Sequence, residues 1–125
     1  MAHKQTFRDL MVWQKSVALA RQMYRLTGQM PRTERFGLTS QMRRAAVSVP
    51  SNIAEGSARQ GRKDYIHFLM IARGSLAELE TQLTIARELN YLAPPETITE
   101  AMGEVSRMLQ GLIDSLRRKP NSPQS

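Results

Sequence analysis

The sequence predicts an all-α fold, an up-down-up-down antiparallel four-helix bundle. Three observations lead there. Apolar residues recur at steps of three and four along almost the whole chain, which is the period of a helix face. Punctuating residues (Gly28 with Pro31, Gly61, and Asn90 with Pro94 and Pro95) divide it into four segments. Strand-like alternation and Asn-Gly or Asp-Gly hairpin turns are both missing. Short connections make successive helices antiparallel neighbours.

The first helix is expected from Asp9, a suitable N-cap, to Gly28. Its inward face is read as Leu10, Trp13, Val17, Ala20, Tyr24 and Thr27, with a second apolar line through Val12, Leu19, Met23, Leu26 and Met30. The second helix is expected to start at Thr33, with Glu34 favourable near its N-terminus. Its inward positions are Leu38, Met42, Ala45, Val49 and Ile53. Pro50 lacks a backbone donor and crowds the preceding turn, which predicts a kink rather than two helices. The third helix starts near Gly61 and carries Tyr65, Phe68, Ala72, Ser75, Leu79, Leu83 and Ala86 on one seam. The fourth keeps the cleanest spacing, through Ile98, Met102, Val105, Leu109, Leu112 and Leu116. One domain spans residues 1–119, and residues 120–125 form a tail that has nothing to bury and is expected to be disordered.

The first helix is apolar along two lines, and residues 65–72 of the third are apolar nearly all round. Such surface is buried either by self-association through these two helices or by a thick monomeric core beneath the loops.

Eighteen Lys and Arg residues oppose eleven Asp and Glu, a net charge of +7, and all but Lys4, Lys15, Lys63 and Lys119 are Arg. Arg suits forked contact with phosphate, and such an excess points to a polyanion such as nucleic acid or to a merely soluble basic surface. With no Cys, disulfides, thiol catalysis and thiolate metal sites are excluded, and a reducing, cytoplasmic setting fits. No run approaches the ~18 apolar residues of a membrane span. Lys4, Arg8 and Lys15 interrupt any signal-peptide core.

The predicted topology gathers the charge at one pole. Lys4, Arg8, Arg59, Arg62, Lys63, Arg117, Arg118 and Lys119 collect there against Asp9, Glu55, Asp64 and Asp114. The other pole sets Arg25, Arg32, Arg35 and Arg87 against Glu34, Glu88, Glu96 and Glu100. Cations in the last turns of helices two and four stabilise those helices by ~0.3–1 kcal/mol each, which leaves Lys4, Arg8 and Lys63 unexplained. Arg21, Arg25, Arg43 and Arg87 are the next candidates for phosphate contact.

Catalysis finds little support. His3 lies near the terminus and His67 stands alone among apolar neighbours, a packing or interface position. Glu78 and Glu80 point to different helix faces. No catalytic residue, metal ligand or cofactor is expected.

Gln41, Arg44, Ser48, Asn52 and Glu55 form a polar stripe on helix two, and helix three offers Glu78. The stripe reads as a partly buried network, with Arg44 bonded to Glu78 or Glu55 and with Ser48 and Asn52 satisfying backbone freed by Pro50. It also reads as a nucleic-acid groove lined by Arg43 and Arg44, although its carboxylates repel phosphate.

The stretches from Phe7 to Lys15, from Phe36 through Gly37-Leu38-Thr39-Ser40-Gln41-Met42-Arg43-Arg44-Ala45-Ala46 to Gly56, and from Phe68 to Leu83 resemble the bacterial four-helix bundle proteins encoded in large-subunit rRNA intervening sequences. That family is similar in turn to the accessory variability proteins (Avd) of diversity-generating retroelements. The resemblance covers about residues 7–117 and implies a homopentameric ring with a basic surface. In the retroelement branch it implies binding to nucleic acid and to a reverse transcriptase. Gly61 departs from the pattern, since relatives often carry Ser there.

The function expected is therefore that of a non-enzymatic, oligomeric accessory protein that binds RNA or DNA through phosphates with little sequence preference. Trp13, Tyr24, Tyr65 and Phe68 are expected to face inward, which argues against base stacking. The alternative is a scaffold that docks a partner such as a reverse transcriptase.

Overall fold

The computed structural model describes residues 6–118. His3, Lys4, Lys119 and the 120–125 tail lie outside the described residues. Four α-helices occur among the described residues: α1 (Met11–Thr27), α2 (Leu38–Ser57), α3 (Arg62–Glu88) and α4 (Glu96–Arg118). Short 3₁₀ turns at Phe7–Asp9 and Arg32–Glu34 precede α1 and α2. No strand occurs among the described residues. Successive helices pack on one another, α4 returns against α1, and the diagonal pairs make no close backbone approach among the described residues. The end of α1 meets the start of α4, where Leu26 and Ile98 border one groove, as antiparallel neighbours require.

The core runs the length of the bundle through Leu19, Met23, Met42, Ile53, Leu69, Leu79, Leu109 and Ile113, each nearly or fully buried. The expected seams of α2 and α3 are the ones buried, with Leu38, Tyr65 and Phe68 only half-buried. On α4 the fifth position goes to Ile113, and Leu112 sits at the flank.

In the first helix the core forms on the second of the two expected apolar lines. Its core line is Val12, Ser16, Leu19, Met23, Leu26 and then Met30 beyond the helix. Of the other line, Thr27 is buried as expected, Leu10, Trp13, Val17 and Ala20 are half-buried and Tyr24 is exposed. Ser16 hides this line from hydropathy, yet its hydroxyl donates to the Trp13 carbonyl (2.9 Å) and so enters the core without an unpaired donor. Two starts shift as well. The Asp9 carboxylate accepts from the Thr6 N–H (2.9 Å) and closes the 3₁₀ turn, while Leu10 is the N-cap of α1. Thr33 lies within the second 3₁₀ turn and α2 begins at Leu38. There the Glu34 carboxylate accepts from the Leu38 N–H (3.0 Å), meeting an otherwise unpaired donor at the positive end of the helix dipole.

α2 runs unbroken through Pro50, and α2 with α3 forms the most extensive helix contact. Gly56 makes this approach feasible: a Cβ there would lie 2.8 Å from the Phe68 Cβ and 3.2 Å from the Tyr65 carbonyl. The same burial raises the pKa of the Tyr65 hydroxyl above its ordinary value, because the phenolate would lose its hydration. At the far end α3 stops at Asn90, whose φ of 61° is left-handed. Bonds from Tyr91 N–H to the Ala86 carbonyl and from Asn90 N–H to the Arg87 carbonyl (both 2.9 Å) close a Schellman motif, where Asn is tolerated in place of Gly.

Candidate nucleic-acid interface

The fold brings six of the expected basic residues to one pole. Arg8 lies on the turn before α1, and this turn also touches α2. Arg59 lies in the α2–α3 connection, Arg62 and Lys63 open α3, and Arg117 and Arg118 end α4. Arg8, Arg59, Lys63, Arg117 and Arg118 are exposed and Arg62 is half-buried. Asp64 shares the first turn of α3. Arg8 stacks 4.7 Å from the Phe7 ring centroid and Arg59 4.8 Å from that of Phe68. Both rings are half-buried, so these stacks close the end of the core. Arg59 also pairs with Glu55 (2.6 Å), and Arg117 donates to the Met70 sulfur (3.4 Å).

The remaining candidates lie elsewhere. Arg21 and Arg25 are exposed on α1 and Arg87 on the last turn of α3. Arg43 is committed to α1: its Nε donates to Thr27 Oγ1 (2.8 Å), its Nη2 donates to the Tyr24 carbonyl (3.2 Å), and its guanidinium lies 4.7 Å from the Tyr24 centroid. It ties together the end of α1 and the start of α2. Lys15 and Arg73 likewise serve helix contacts, Lys15 with Glu104 (3.0 Å) and Arg73 with Gln110 (2.7 Å).

The polar stripe divides. Gln41, Arg44 and Ser48 face Glu78 and Gln82 across an α2–α3 groove of about 410 Å³. Ser48 and Ser75 share a hydrogen bond (2.8 Å). Asn52 donates to both the Ser48 carbonyl and the Ser48 hydroxyl (2.9 Å each). That carbonyl is not the one deprived of its partner by Pro50, which belongs to Ala46. Glu55 leaves the stripe to pair with Arg59, and no ion pair joins Arg44 to Glu78. The buried Gln82 Oε1 has no protein donor.

Sequence reasoning missed Phe36. It is 88% exposed between the second 3₁₀ turn and α2, with the Arg35 guanidinium 5.2 Å from its centroid. The one sequence signal is that Phe36 belongs to no three-four seam and has Arg and Gly as neighbours, which marks a loop position without fixing its exposure. Tyr24, expected inward, is 46% exposed. His67 is also exposed, its ring edge-on to Phe68. Among the described residues no three acidic or His side chains are grouped to hold a metal, and no helix is long and apolar enough to cross a membrane.

Residues 8–111 match the model of the 23S rRNA-intervening sequence protein family. The fold is similar to the crystal structure of a protein of unknown function from the S23 ribosomal protein family of Bacteroides thetaiotaomicron. The TM-score is 0.75 at 27% identity, over 82% of this chain and 97% of that one. No curated protein matches.

Proposed function

The chain belongs to the 23S rRNA-intervening sequence protein family, and on that premise we propose that it is a non-enzymatic, basic accessory protein that binds RNA and DNA through their phosphates. One observation carries the reading. Lys63, beside Arg62, stands exposed in the first turn of α3, where the helix dipole disfavours cations. Helix stability therefore does not explain its place. A polyanion does, because its phosphates would lie over four converging segments of chain that each contribute Arg or Lys.

The reading extends to assembly. Met11, Met70, Ile71 and Ile85 leave apolar surface exposed on α1 and α3, which supports burial against further copies. The resemblance to accessory variability proteins supports a homopentameric ring, whose closed symmetry would join the basic poles into one annulus; the missing donor at Pro50 supports a bend in α2, and the absence of Cys supports a cytoplasmic setting. A reverse transcriptase docked on the ring is the alternative partner. It is favoured by the polar α2–α3 groove, where the exposed Gln41, Arg44 and Glu78 offer both donors and acceptors to a protein surface.

Fluorescence anisotropy with labelled RNA and DNA duplexes tests the proposal. Affinity is expected to fall about a hundredfold or more between roughly 50 and 200 mM salt. Equal affinity at both salts overturns it. Capture of a reverse transcriptase that survives nuclease treatment, without direct binding to either duplex, replaces it with the scaffold.

A further inference from the structure

We propose that the α1–α2 junction, at the pole opposite the basic cluster, is a base-stacking platform for single-stranded nucleic acid, carried by Phe36 and Tyr24. The inference rests on the nucleic-acid reading above and gives it a second site with its own ligand form.

Phe36 is the most exposed large apolar residue described, and the Arg35 guanidinium lies over its ring. Its neighbours Arg32, Thr33 and Arg35 are exposed. The one nearby carboxylate, Glu34, is half-buried and accepts from the Leu38 N–H, so it is turned into the start of α2. Tyr24 repeats the arrangement, half-exposed beneath Arg43. The bonds from Arg43 to Thr27 and to the Tyr24 carbonyl fix cation and ring together. The acidic residues of this pole (Glu88, Glu96 and Glu100) lie on α3 and α4, which leaves the α1–α2 side positive.

A ring with one open face and a guanidinium beside it matches a nucleotide, with the base on the ring and the phosphate on the guanidinium edge. Duplexes hide their base faces within the stack, so this site takes single strands. A membrane is a poor occupant, because one Phe among charged residues offers little area for insertion. Two-fold pairing of copies here is disfavoured, because it sets Arg32 and Arg35 against their own equivalents.

The test compares a short labelled oligothymidine with a duplex of equal length, using wild type, Phe36→Ala, Phe36→Trp and Tyr24→Ala. Phe36→Ala is expected to weaken strand binding about tenfold and leave duplex binding and the melting temperature unchanged. Tyr24→Ala is expected to weaken strand binding in the same direction, and Phe36→Trp to preserve it. Strand affinity that ignores Phe36, or a loss shared by strand and duplex, overturns the platform while the phosphate reading stands. Phe36-dependent binding to anionic vesicles, or a Phe36-dependent change in assembly mass, also overturns it. Wild type that binds neither polymer removes both readings.

Discussion

The two poles of the bundle use the same local chemistry to different ends. At each, Arg guanidinium groups lie over aromatic rings, Arg8 on Phe7 and Arg59 on Phe68 at one, Arg35 on Phe36 and Arg43 on Tyr24 at the other. At the first pole the rings are half-buried and α1, α2 and α3 close around them. Arg62 and Lys63 there are set against the dipole of α3, whereas Arg117 and Arg118 suit the end of α4. At the second pole the rings are exposed and the nearby carboxylate caps a helix. The lesson is that a cation over a ring does not identify a site. What distinguishes the poles is the ring's free face and the electrostatic cost of the neighbouring charges.

The largest effect should come from reversing charge where the dipole already opposes it. Arg62→Glu with Lys63→Glu is expected to weaken duplex binding about a hundredfold at roughly 0.1 M salt and to reduce the salt slope by about 2. Lys63→Glu alone should leave the melting temperature level or raise it, because acids suit a first turn. A fall in both binding and melting temperature for that variant would make Lys63 structural and erase the contrast. Gly56→Val comes next. It forces Phe68 and Tyr65 away from α2, and chemical denaturation should show a loss of about 2 kcal/mol. Asn90→Ala probes the other end, where a left-handed residue ends α3, with an expected loss of about 1 kcal/mol and no change at the basic pole. Glu55→Gln is the smallest. The exposed pair with Arg59 is worth about 0.3–0.5 kcal/mol, and its removal should slightly tighten duplex binding by releasing Arg59 to phosphate.

Much of the fold was legible because helix spacing is a strong signal when the apolar face is continuous, as it is in α2, α3 and most of α4. It failed in α1, where Ser16 interrupts the true core line and a competing line of larger residues, Trp13 and Tyr24, looks equally apolar. Both lines obey the three-four spacing, and only the position of α1 between α2 and α4 selects one. The Thr33 start failed for a related reason: a capping residue marks a turn, and here the turn is 3₁₀, with the cap supplied by Glu34 across to Leu38. The basic pole followed from helix order alone. The exposed rings did not, because aromatic residues are usually buried and sequence carries no measure of which loop leaves one open.

The close meeting of α2 and α3 around Gly56 also bears on how the molecule is made. These two helices are joined by residues 58–61 alone and share the broadest contact in the bundle, so their pairing closes a short loop for a large gain. The hairpin is therefore the expected nucleus for folding, with α1 and α4 expected to condense on it afterwards. Substitutions at Val49 or Leu76 should slow refolding, whereas those at Leu19 or Leu109 should chiefly hasten unfolding.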